Sequence, residues 1–388
     1  RFLDSSSKEV ELLKSSLMSS SSAIEKSANY ICSQLLGRLL SYEEECPRVK
    51  TLIEQLREAG TKTRYLLPLS SCLDLGGPEM SRKIFDSEVM SLATRKISTG
   101  TVAICGLENG SIIIFDLETG KEVQQLLGHQ HVVWCLALSR SETILASGSS
   151  DKTAILWNMD SYEQLFVLQV KSPVSELDFS VDGQRLFTGS DDGYLSSFAA
   201  TGSRELLNST RAHDSLVSSL CTTTDGQYVA TASRCDNSIK LWKADTLDIE
   251  TTLVGHTDGV SCVVATDSGN DNPMLVSASQ DGIIKIWDLK TYQEIRTLVG
   301  HEGWVNSVAV SYDKKHIISG GFDRIVRLWC FHTGKLIFCF EGHTDYISCV
   351  ALLSDGLRAV SASYDKNVRV RRLASPNMGQ ERSIDYFA

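Results

Sequence analysis

A histidine, a serine or threonine, an aspartate and a tryptophan recur together four times in this chain. The sets are His129, Ser147, Asp151 and Trp157; His213, Thr231, Asp236 and Trp242; His256, Ser277, Asp281 and Trp287; and His301, Ser319, Asp323 and Trp329. Serine, histidine and aspartate are the parts of a hydrolytic triad, in which the imidazole takes the serine proton and the carboxylate orients the imidazole. That chemistry needs one exposed nucleophile beside an oxyanion pocket. Groups that return at matching places are instead tied to a repeated corner and turn, so no catalytic residue is expected and the chain is read as non-enzymatic.

The element that must position these residues is the stretch Leu253 to Thr291, LVGHTDGVSCVVATDSGNDNPMLVSASQDGIIKIWDLKT, of which most of the chain is copies. Its histidine recurs at His129, His213, His256, His301 and His343, in steps of 84 (two times 42), 43, 45 and 42 residues. In step with it, Asp151, Asp192, Asp236, Asp281, Asp323 and Asp365 each stand six residues before Trp157, Phe198, Trp242, Trp287, Trp329 and Arg371. A weaker first copy has Asn109 six before Phe115, which makes seven. Within a copy such as the fifth, Val260 to Val264, Met274 to Ala278 and Ile283 to Trp287 alternate as strands, and Ser279-Gln280-Asp281-Gly282 reads as a tight turn. One such sheet leaves two apolar faces bare, and seven in a ring bury both.

A period in the forties with Gly-His early and an aromatic late marks a four-stranded propeller blade. GHTDGV, SASQDGIIKIWD and GGFDRIVRLW resemble WD repeats over roughly residues 80 to 372, which implies an all-β seven-bladed WD-repeat β-propeller with an α-helical N-terminal segment. The resemblance also implies that the four tetrads form buried hydrogen-bond chains from Trp through Ser/Thr and His to Asp. Copies that lack members are expected to be looser. The third has Val170 in the His place and Phe198 for Trp, the first has Phe85, Cys105 and Asn109, and the seventh has Arg371 for Trp. In WD-repeat propellers the top face is lined by the residues three and five after the corner His and the one before the turn Asp. Here that rule gives Trp304, Asn306 and Phe322 in the sixth copy, Tyr346, Ser348 and Tyr364 in the seventh, and Val132, Trp134 and Ser150 in the second. The fifth gives the plain Gly259, Ser261 and Gln280. The aromatic sector, with Trp134, Trp304, Asn306, Phe322, Tyr346 and Tyr364, is the expected protein-binding surface.

The 388 residues carry 38 Lys+Arg against 48 Asp+Glu, a net charge of -10; residues 1–84 are about neutral, and residues 85–388 carry 26 against 37. A surface that acidic does not neutralise phosphates, so no nucleic-acid partner is expected. Alternation along the strand is expected to divide the basic group Lys366, Arg369, Arg371 and Arg372 between two faces. With no run of 18 apolar residues, no membrane span is expected. The 11 cysteines are scattered without a C-x-x-C pair, which fits free thiols in the cytoplasm and no metal or other cofactor. Cys262 and Cys349 read as small core residues.

Four regions follow: a helical segment 1–62, a linker 63–78, the propeller 79–373, and a tail or linker 374–388. In the first, Ser6 and Glu9 fit a capping box, and apolar stripes run through Val10, Leu13 and Leu17, through Ile24 to Leu39, and through Val49 to Leu56. Ser33-Gln34-Leu35-Leu36-Gly37-Arg38-Leu39 and RYLLPLSSCLDLGGP, residues 64–78, resemble the lead-in of NACHT and WD-repeat proteins. That implies a ligand-sensing or autoinhibitory propeller of a signalling NTPase, in contact with a nucleotide-binding domain upstream of Arg1. The alternative is a substrate receptor of a cullin-type ubiquitin ligase. Its adaptor mark, Arg three after the Trp, is replaced here by Asp160, Asp245, Lys290 and His332. Closing the ring requires Glu79 to Ile84 to pair with Lys366 to Arg372, because an open edge invites other chains.

Overall fold

The computed structural model describes residues 79–97, 100–202, 205–266 and 273–373. The helical segment, the linker and the tail lie outside these residues. The alternating segments form seven four-stranded antiparallel sheets. Their inner strands are Val89–Ile97, Val133–Leu138, Val174–Phe179, Val217–Thr222, Val260–Ala265, Val305–Val310 and Ile347–Leu352, and the blades are numbered 1 to 7 in that order. Every inner strand begins with a β-branched residue that is fully buried.

Blade 7 takes its outer strand from the other end of the propeller. Glu79–Ile84 runs antiparallel to Asn367–Arg372, with Ser81 opposite Val370 and Ile84 opposite Asn367, so the pairing required for closure is present. The cores lie between blades. Ile104, Ile112 and Ile114 of blade 1 pack on Val133, Leu145, Ile155 and Trp157 of blade 2. Across the closure, Val360 and Val368 of blade 7 pack on Val89, Cys105 and Phe115 of blade 1. Each sheet thus covers its neighbour's apolar face, and none is stable alone.

Two backbone features recur in every blade and set the position of the corner and channel side chains. The residue after each turn Asp or Asn is left-handed: Gly110, Lys152, Gly193, Asn237, Gly282, Arg324 and Lys366 all have φ between 55 and 86°. At Gly193 a Cβ would stand 2.1 Å from the His213 carbonyl oxygen, so that turn closes only on glycine. The second feature is a register shift at the start of every inner strand, between Val89/Ser91, Val133/Cys135, Val174/Glu176, Val217/Ser219, Val260/Cys262, Val305/Ser307 and Ile347/Cys349. A bulge of this kind leaves one residue unpaired and re-aims its neighbours.

Candidate partner-binding face

The four tetrads close as continuous hydrogen-bond chains. In blade 5, Trp287 Nε1 donates to Ser277 Oγ at 2.8 Å, Ser277 Oγ lies 2.8 Å from His256 Nε2, and His256 Nδ1 lies 2.9 Å from Asp281. Asp281 also accepts from the amides of Thr257 and Ile283, which fixes the corner to the turn. Blades 2, 4 and 6 repeat the arrangement through Trp157, Trp242 and Trp329. A neutral imidazole with its proton on Nδ1 satisfies every link. Burial agrees with that state, since it pulls the pKa of His129 and His301 below the ordinary 6.5 against the pull of their aspartates. Ser147, Thr231, Ser277 and Ser319 have no exposed surface, so their hydroxyls are enclosed links of the chain rather than exposed nucleophiles.

The incomplete copies differ in kind. Blade 7 keeps His343, Ser361 and Asp365 in bonded order and fills the Trp place with buried Arg371, which donates to the Glu341 carbonyl and lies over the Phe340 ring at 5.5 Å. Arg369 is buried on the same side, while Lys366 and Arg372 are exposed. Blade 1 makes three of the four places apolar, with Phe85 edge-on to Phe115 at 5.8 Å beside buried Cys105, and keeps only Asn109 at the turn, where it accepts from Ser111. Blade 3 has Val170 and Phe198 but keeps Thr188 in the serine place, where its hydroxyl is buried without a partner among the described residues.

On the face bearing the turns, four of the expected residues come together. Trp304 meets Phe322 at 4.6 Å, Phe322 stacks on Tyr346 at 4.1 Å, and Tyr346 meets Tyr364 edge-on at 6.5 Å. The backbone holds this ladder, as Phe322 N donates to Trp304 O and Tyr364 N to Tyr346 O. Trp304 and Tyr346 remain 41% and 37% exposed. Carboxylates flank its end. Burial first, then the charges of Glu108 and Asp345, raise Glu88, and burial together with all three raises Tyr364. Trp134, equally exposed, stands apart on blade 2 and donates its indole N–H to Ser150. Asn306 is half-buried and gives its amide to the Ile347 carbonyl of the next blade, as Ser175, Ser218 and Ser348 do to Val217, Val260 and Val89.

Those hydroxyls belong to an axial channel of about 570 Å³ opening on this face. Strict alternation would send consecutive residues to opposite sides of a strand. The bulge sends both to the channel, so pairs such as Ser175-Glu176, Ser261-Cys262 and Ser348-Cys349 line it together. Cys262 and Cys349 are accordingly not enclosed core residues: each packs against a core edge but is only half-buried and forms channel wall. Burial pushes the Glu176 carboxyl up to about 8. Neither Glu176 nor Arg234, at the same mouth, was among the expected site residues. A carboxylate within a strand otherwise matched by Ser and Cys is the signal that could have marked the first. A cavity of about 460 Å³ lies around the opposite ends of the inner strands. Among the described residues no group of three or more His, Cys, Asp or Glu is placed to hold a metal, and no helix is long and apolar enough to cross a membrane.

Comparison with known proteins agrees with this architecture. The family profile described as WD domain, G-beta repeat matches residues 120–158, 162–198, 204–243, 248–288, 292–330 and 334–371. The apolar first copy, from Phe85 to Phe115, lies before the first match yet builds a full blade. The chain is 26% identical over 148 residues to the serine-threonine kinase receptor-associated protein of Gallus gallus, covering 38% of this chain and 42% of that protein. It is 30% identical over 112 residues to periodic tryptophan protein 2 of Saccharomyces cerevisiae, covering 28% and 12%. With transcription factor unc-37 of Caenorhabditis elegans it shares 28% over 137 residues, covering 35% and 22%. The matched part is therefore less than half the length of each of these relatives.

Proposed function

The chain belongs to the WD40-repeat family, and from that premise we propose that it is a non-catalytic platform whose partner protein docks on the ladder Trp304–Phe322–Tyr346–Tyr364. The observation that carries this is four aromatic rings in unbroken contact on the face where the fold requires none of them, two of the four well exposed. Large aromatic surface beside small polar groups is the usual composition of a binding hot spot. Trp134, across blade 1, is a second contact point for a partner wide enough to reach the channel mouth.

The narrower role as the sensing or autoinhibitory propeller of a signalling NTPase rests only on the lead-in residues before Glu79. The names of the relatives give no support to it or to a ubiquitin-ligase receptor. Cytoplasmic placement belongs to the same proposal and follows from the scattered cysteines.

The test is a pull-down comparing the chain with a Trp304→Ala/Tyr346→Ala/Tyr364→Ala variant that melts at the same temperature. Loss of specific partners from the variant alone is the expected result. An identical partner set on both proteins would assign the ladder to packing and move the search to the segment before the propeller.

A further inference from the structure

The turn of blade 4 is one residue longer than its counterparts. Trp242 follows its Thr231 partner by 11 residues, where Trp157, Trp287 and Trp329 follow their serines by 10. The position next after the strand, held by Ser150, Gln280 and Tyr364 in blades 2, 5 and 7, is here Arg234, and Cys235 is the residue gained. Arg234 lies at the channel mouth, which Tyr364 and Cys262 also line. Arg234 is exposed at that mouth, and partial desolvation by the channel walls lowers its pKa from the ordinary value. Among the described residues it makes no hydrogen bond and no ion pair.

The neighbouring blade is fitted to it. A Cβ on Gly259 would stand 2.1 Å from the Arg234 carbonyl oxygen, so only glycine lets the two segments close. Two residues on, Ser261 occupies the bulge position from which Ser175, Ser218 and Ser348 donate to the next blade. Ser261 makes no such bond. It is 4% exposed, its hydroxyl has no partner among the described residues, and it lines the same channel. An exposed guanidinium free to pair and an unpaired buried hydroxyl face one cavity, and a ligand that engages both also removes the cost of the stranded Ser261 group.

We propose that Arg234 and Ser261 form an oxyanion receptor that takes the carboxylate or phosphate of an acidic side chain on the docked protein. A guanidinium offers a planar fork of donors that matches either group. Glu176 and Asp191 share the channel without pairing to Arg234. Burial raises both carboxyls, Glu176 to about 8, which lessens the repulsion they offer a bound anion. Tyr364 ends the aromatic ladder and also lines the mouth, so a chain lying on the ladder brings a side chain to Arg234. The peptide source thus rests on the docking reading above, whereas the anion chemistry does not.

Calorimetric titrations of the full chain at fixed ionic strength test both. The probes are inorganic phosphate and end-blocked peptides alike except for one phosphoserine, glutamate or glutamine. Saturable binding of the phosphoserine or glutamate peptide, with the glutamine peptide weaker, is expected. Arg234→Gln should weaken it by ~10-fold or more and Ser261→Ala by ~3-fold, while Arg234→Lys recovers part of the loss. Since neither side chain bonds to the fold, the two Arg234 variants should melt like the parent and Ser261→Ala no lower than it. Trp304→Ala/Tyr346→Ala should leave phosphate binding unchanged, which separates failure of the ladder from failure of this site. Equal binding by the parent and Arg234→Gln, or no saturable binding of any probe, overturns the proposal. Phosphate binding tighter than either acidic peptide overturns the peptide source and makes the ligand a small free anion.

Discussion

Blades 3 and 5 have the same four strands, the same bulge and the same turn, and differ in what stands at the corner. In blade 5 every polar atom of Trp287, Ser277, His256 and Asp281 has a partner. In blade 3 both partners of the hydroxyl, the imidazole acceptor and the indole donor, are gone, replaced by Val170 and Phe198, and Thr188 is stranded in the core. Ser197, where blade 5 has Ile286, is a second buried hydroxyl without a partner among the described residues. In blade 1 the hydroxyl too is replaced, by Cys105, and among the described residues its corner holds no stranded polar group. The four residues work as a unit, and partial loss is worse than total loss.

The largest test removes the anchor of the intact blade. Trp287→Ala, like Trp329→Ala in blade 6, should destabilise by ~3–5 kcal/mol through lost packing and an emptied site, whereas Phe198→Ala in blade 3 removes packing alone and should cost less. Denaturant melts of the three variants decide this, and equal losses would deny the tetrad any role beyond volume. Next, Ser277→Ala should cost ~2–3 kcal/mol, because it strips a partner from both the indole N–H and the imidazole. A loss under ~0.5 kcal/mol would show that water or a neighbour repairs the gap.

Proton linkage separates the blades without mutation. His129, His301 and His343 have folded pKa values below their unfolded 6.5, so the unfolded chain takes up protons first. Their contribution is complete above pH 6.5 and is lost as pH falls through that value towards the folded pKa. A second loss follows below the unfolded 3.8 of the turn aspartates. Burial alone would raise Asp323, but its bond to His301 and the charge of Arg327 hold it at about 2. Urea midpoints should therefore fall from pH 7.5 to pH 5.5, and blade 3, which has no such histidine, should contribute nothing to the fall. Unchanged midpoints would mean that the imidazoles titrate alike in both states. The smallest effect has the opposite sign: Thr188→Val should stabilise by about 1 kcal/mol by removing the stranded hydroxyl, and a melt at or below the parental temperature would show that Thr188 has a partner after all.

Much of this was legible in the sequence. The repeated His, Asp and Trp spacings mark seven blades, and the closing pair Ser81 and Val370 follows once an outer strand is seen to precede the first copy. The ladder was legible only as separate positions; contact among Trp304, Phe322, Tyr346 and Tyr364 needed the turns in three dimensions. The channel wall was not legible, because reading strands with a period of two places Ser261 and Cys262 on opposite faces and a bulge puts them side by side. Arg234 escaped for a related reason: counting back one residue from Asp236 lands on Cys235, and the longer turn hides the arginine behind it.

The closure has a consequence in time. A ribosome that has made Arg82 must add 285 residues before Asn367, its hydrogen-bond partner, exists. At about 5–20 residues per second, that is roughly 15–60 s during which the first strand waits with an unpaired edge. Arg82 and Lys83 put charge on that strand while it waits, a deterrent to the wrong neighbour. When the last strand arrives, Arg82 Nε donates to Asn367 at 2.8 Å, and the same side chain that kept strangers away becomes the latch.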